Sequence, residues 1–176
     1  MKKILTFITF SLITPITLTA PSQKELEKVI TGAHTKTFSV GNLYKTALDT
    51  KEWYDVLALT HEFVTEHALH NRSLIKSYKQ IKRANDRLIH DIDDAYRLLF
   101  KSESTRTVSN KALVDKFSAK FEKIEKEMEA LKIKLKTQLD EKKFLIHGQE
   151  KVAQVLHRLA ITLKTTAIKA RNDLKK

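Results

Sequence analysis

Between Gly41 and Gly148 the chain runs 106 residues without a glycine or a proline. Glycine interrupts helices through backbone entropy, and proline through a lost N–H donor and a steric clash. So long an interval without either is incompatible with a turn-rich β fold and favours long helices. The predicted architecture is all-α: a long antiparallel helical hairpin with coiled-coil-like packing. A C-terminal helix and short N-terminal helices complete it to a three- or four-helix bundle.

The N-terminal residues read as an address. Met1-Lys2-Lys3 precedes an apolar stretch from Ile4 to Leu18, followed by Thr19-Ala20-Pro21-Ser22. A basic start, a short apolar core and small residues after it make a secretory signal peptide over residues 1–22. The core is too short for a membrane span, and Thr6, Thr9, Ser11 and Thr14 dilute it. Cleavage after Ser22, and not after Ala20, keeps Pro21 off the far side of the cut. The product is expected to be periplasmic or secreted, with no transmembrane helix in the mature chain.

The chain has no cysteine. Disulfides, thiolate metal sites, covalent haem and cysteine nucleophiles are therefore excluded, and stability must come from helix packing or self-association. Without Lys2 and Lys3 the chain keeps 31 Lys and Arg against 21 Asp and Glu. Such a field attracts anionic lipid, envelope polymer or acidic protein. Nucleic acid is an unexpected partner for an exported chain.

Residues 23–49 form a short helical segment and connector, opened by the capping box Ser22-Gln-Lys-Glu25. Residues 50–176 form the bundle, with helices over about 50–101, 109–147 and 149–175. From Trp53 the pattern steps by four and three residues through Leu57, Thr60, Val64, His67, Asn71, Leu74, Tyr78, Ile81, Asn85, Leu88, Ile92, Ala95 and Leu99. A seven-residue repeat of this length implies left-handed, coiled-coil-like packing. One helix over 50–101 would be roughly 75 Å long. The hydroxyl-rich run Ser102–Ser109 suits a hairpin turn. A second stripe follows through Val114, Phe117, Phe121, Ile124, Met128, Leu131 and Leu135, and resumes at Val152, Leu156, Leu159 and Leu163. The basic residues before Gly148 and the acidic one after it place a helix break at that glycine. Ala153, Ala160 and Ala167 give the last helix a small-residue face that permits close approach.

Both stripes turn polar, the first at Thr60, His67 and Asn71, the second at Gln138, Lys142 and Gln149. A hairpin turning near residue 105 puts Asn71 beside residue 139, His67 beside 143 and Thr60 beside 150. The polar stretches then meet in one layer, which would fix the register of the helices. With His67 facing Lys142 or Lys143, acidification would disfavour that layer.

Catalytic motifs are lacking: there is no G-x-S-x-G, and three glycines cannot build a phosphate-cradling loop. An enzyme is not expected, nor is any cofactor. His61, Glu66, His67 and His70 are the candidates for a metal site, since imidazole and carboxylate at helical spacing can converge on one ion. His90 with Asp91, Asp93 and Asp94 is a second such group. The densest basic segment places Lys76, Lys79, Lys82 and Arg83 around Tyr78, a candidate anion-binding helix face.

These observations point to an exported helical scaffold or interaction protein that binds a protein partner or itself. The alternatives are a holdase-type chaperone or anionic-surface binder, and a metal or small-ligand carrier using the His61–Asn71 region.

Overall fold

A computed structural model describes residues 56–68, 70–101, 110–144 and 146–174. The expected signal peptide, the expected 23–49 segment, residues 50–55 at the expected start of the first long helix and the expected turn at 102–109 lie outside the described residues. Within them there are helices and no strand, arranged as an all-α bundle. The elements are α1 (56–67), α2 (Arg72–Tyr96), α3 (Asn110–Asp140) and α4 (His147–Asp173). A π-helical turn, Arg97–Lys101, extends α2.

The predicted stripe is the buried face. Leu57, Thr60, Val64, Leu74, Tyr78, Ile81, Asn85, Leu88, Ile92, Ala95 and Leu99 are all buried. So are Phe117, Phe121, Ile124, Met128, Leu131 and Leu135, together with Val152, Leu156, Leu159 and Leu163. Each helix thus presents one apolar stripe, and burying those stripes against one another supplies the main driving force. Ala153, Ala160 and Ala167 are fully buried, as the small-residue face anticipates.

The helices alternate in direction. Lys120 pairs with Asp91, and Gln138 Nε2 donates to Ser73 Oγ at 3.0 Å, so α2 and α3 are antiparallel close to the predicted register. Glu129 pairs with Lys164 at 2.7 Å and Glu125 with Arg171 at 2.8 Å, so α3 and α4 are antiparallel too.

The expected single helix over 50–101 is instead two helices with a reversal between them. Tyr78 Oη donates to the Leu57 carbonyl at 3.1 Å, and the His61 and Tyr78 rings lie 5.6 Å apart. In a continuous helix Leu57 and Tyr78 would be about 30 Å apart. The chain turns at His70, which takes φ 67°. Asn71 then starts α2 as its N-cap, its Oδ1 accepting from the Leu74 N–H at 3.2 Å. A short polar side chain in that position satisfies a helix-end donor that otherwise has no partner.

The break before the last helix also differs from the expectation. It spans residues 141–146, and Gly148 lies inside the first turn of α4. Lys142 takes φ 48°, the Lys142 N–H donates to the Leu139 carbonyl, and the Lys143 N–H donates to the Gln138 carbonyl. That pair of bonds is a Schellman end, here with lysine in the position glycine usually holds. Gly148 serves closeness instead. A Cβ there would stand 3.3 Å from His67 Cβ, so the glycine lets α4 begin hard against the end of α1.

Candidate functional site

Of the six residues expected in the polar layer, Asn71, Gln149 and Gln138 form hydrogen bonds across helices. Asn71 Nδ2 donates to Gln149 Oε1 at 3.1 Å, and Gln149 Nε2 donates to the Ala68 carbonyl at 3.2 Å. Gln149 is buried, so these bonds satisfy an amide that would otherwise be costly inside the bundle. The layer thus braces the α1–α2 turn against the start of α4. Thr60 does not join it: the fold-back carries it along α1, where its hydroxyl donates to the Val56 carbonyl at 2.7 Å. His67 is half-buried with its ring edge-on to Phe63 at 4.6 Å. Lys142 and Lys143 are exposed, and Lys143 pairs with Glu141 at 2.7 Å. The expected opposition of His67 and lysine gives way to contact with Gly148.

The metal candidates do not converge. His61 and His70 reach one small cavity, while Glu66 leans toward His67 at 4.0 Å. Among the described residues, the group whose ligand atoms cluster is His90, Asp91 and Asp94. Asp91 is engaged there by Lys120, and His90 lies 3.3 Å from Asp94. Asp91 is thus tied to α3 by an ion pair, while His90 and Asp94 face each other one turn apart on α2.

The basic segment is the site that gains most from the fold. α2 buries Ser77, Tyr78, Ile81 and Ala84 in the bundle and turns Lys76, Lys79, Gln80 and Arg83 outward. One turn further along, Asp86 and Arg87 continue this face, and Glu127 reaches it from α3. Together these seven side chains line a groove of about 740 Å³. Lys76, Lys79 and Arg83 were expected on this face. Lys82 was too, but it does not line the groove. Arg87 continues the spacing of Lys79 and Arg83 by four and was legible had the stripe been followed one turn more. Glu127 is distant in sequence and had no signal.

The electrostatics of the groove are uneven. Both terminal guanidinium nitrogens of Arg87 donate to the Glu127 carboxylate, one at 3.1 Å. Those hydrogen bonds hold Glu127 below the usual carboxylate range and raise Arg87 further above its own. Lys76, Lys79 and Arg83 have no carboxylate partner within ion-pair distance among the described residues. Tyr78, beneath them, is pushed above the ordinary phenol value by burial and by the Asp86 charge. Three cations without an ion-pair partner among the described residues share this face, outnumbering the one carboxylate there, Asp86, that is not already paired with Arg87, and they suit an anionic ligand.

A smaller cavity of about 340 Å³ adjoins the groove, lined by His61, Val64, Thr65, Ala68, His70, Ile75, Tyr78 and Lys79. Lys79 belongs to both linings. No helix among the described residues is long and apolar enough to cross a membrane. Comparison of the chain with protein families, with characterised proteins and with solved structures finds no match.

Proposed function

We propose that this chain is an exported helical-bundle interaction protein that attaches to an anionic surface through the basic face of α2. Its export rests on the basic start and apolar stretch of residues 1–18. Its binding rests on one observation: Lys76, Lys79 and Arg83 share a groove without carboxylate partners among the described residues, on a helix whose other face is held in the core. The net positive charge of the chain adds long-range attraction to the same class of surface.

The test is co-sedimentation of the purified chain with lipid vesicles, with and without anionic phosphatidylglycerol, over a range of salt. Each lysine or arginine near an anionic surface contributes about 1 kcal/mol. Replacing Lys76, Lys79 and Arg83 together by glutamine should therefore weaken binding about 100-fold. Binding should also fall steeply with salt. Equal binding to neutral vesicles, or an unaltered affinity in the triple variant, would sink the reading.

A further inference from the structure

The cavity beside the groove differs from it in chemistry. Its floor is Val64, Ala68 and Tyr78, all buried, and its rim carries Ile75, Thr65 and the rings of His61 and His70. Among the described residues the only formally charged side chain in this lining is Lys79, and it stands where the cavity meets the groove. The fold-back of α1 creates this arrangement. Tyr78 is drawn to the Leu57 carbonyl, its ring packs beside His61, and an apolar recess is left between α1 and the first turns of α2. Groove and recess together are an anion site with an apolar compartment at one end.

We propose that the site takes a single-chain amphiphile headed by a phosphate monoester, its phosphate among Lys76, Lys79 and Arg83 and its alkyl chain in the recess. This rests on the anionic-surface reading and specifies its ligand. Charge complementarity orients the occupant. A dianionic head with several oxygens matches two ammonium groups and a planar guanidinium fork. An uncharged chain matches a recess with no carboxylate among the described residues of its lining. Lys79 suits the junction, because its alkyl stem can lie along the recess while its ammonium stays with the head.

Isothermal titration calorimetry of the purified chain with inorganic phosphate and with butyl, hexyl and octyl phosphate tests this, each below its micelle concentration. Affinity should rise with chain length, by about fourfold for each methylene that becomes buried. Octyl glucoside, with the same chain and no charge, should bind at least tenfold more weakly than octyl phosphate. Thr65→Trp fills the recess from its exposed rim, and Ile75→Gln makes its wall polar. Both should lose most of the chain-length dependence while keeping the binding of inorganic phosphate and the helical circular dichroism of the parent. An affinity independent of chain length overturns the proposal and leaves the anionic-surface reading standing. So does a chain-length slope that survives in either folded variant. Octyl glucoside binding as tightly as octyl phosphate overturns the placing of the head. Failure of both the alkyl phosphates and the anionic vesicles removes the two readings together.

Discussion

The α3–α4 hairpin and the α1–α2 pair are both antiparallel helix pairs, yet they are built differently. In the hairpin, Phe117, Phe121, Ile124, Met128, Leu131 and Leu135 are buried together with Val152, Leu156, Leu159 and Leu163. Alanines on α4 are fully buried as well. Glu129–Lys164 and Glu125–Arg171 tie its edges. The α1–α2 pair closes on a left-handed residue, His70, and a network of amides through Asn71 and Gln149. Its outer face carries the basic groove and the recess. The difference teaches where each property resides. Apolar stripes are buried in both pairs, and the α1–α2 pair adds to its share of the core a polar brace and an outer face of cations.

The largest effect that could break this comparison is a loss in the hairpin core. Phe121 is fully buried, and Phe121→Ala should lower the unfolding free energy by about 3–5 kcal/mol through lost transfer energy and a residual cavity. Chemical denaturation measures this directly. A loss below about 1 kcal/mol would mean that apolar burial is not what holds the hairpin.

A smaller effect is expected where α1 and α2 meet α4. Gln149→Ala removes the acceptor for Asn71 Nδ2 and one of the donors to the Ala68 carbonyl. Leaving such groups unpaired costs about 1–3 kcal/mol, so about 2 kcal/mol should be lost, less than for Phe121. The Ala68 carbonyl keeps its bond from the Asn71 N–H, which limits the damage. A cost matching that of Phe121→Ala would erase the distinction between an apolar pair and a polar-braced one.

What the sequence reveals, and what it hides, follows the same division. The stripe from Leu57 to Leu99 correctly names the buried positions on both sides of the break, because periodicity reports which face is apolar. It does not report direction. A reversal over residues 68–71 that keeps the phase of the stripe is invisible to it. Here the more informative sign was local: Asn71 is a favoured N-cap type inside the polar run His70-Asn71-Arg72-Ser73. The register of α2 against α3 was readable from the matched polar stretches, and Ser73–Gln138 and Asp91–Lys120 realise it. The break at 141–146 was misplaced to Gly148 because lysine, and not glycine, takes the left-handed position. In the groove, Lys76, Lys79 and Arg83 follow from helical spacing alone. Glu127 and the recess depend on the packing of α3 and α1, which no local pattern encodes.

The finest distinction between the two pairs is their response to acid, and His157 is the hairpin's part in it. His157 is half-buried on α4, and its Nε2 is buried without a hydrogen-bond partner among the described residues. Burial holds its pKa below the ordinary imidazole value. The positive charges of Lys132 and Lys136 on α3 act in the same direction, and Asp140 opposes them. The unfolded chain therefore takes up this proton more readily than the folded one. Stability from this site is fully present above the unfolded imidazole value, about pH 6.5, and falls as the pH drops toward the lower folded value. His157→Leu removes the titration while keeping an apolar side chain of similar reach. Its melting temperature should gain on the parent by about 2 °C between pH 7.5 and pH 5, a small shift for a partly exposed group in a chain of this size. Comparing the variant with its parent cancels contributions common to both proteins. Parallel melting curves across that pH range would remove His157 from the acid response and leave it to other groups, among them the Glu127 carboxylate held low by Arg87.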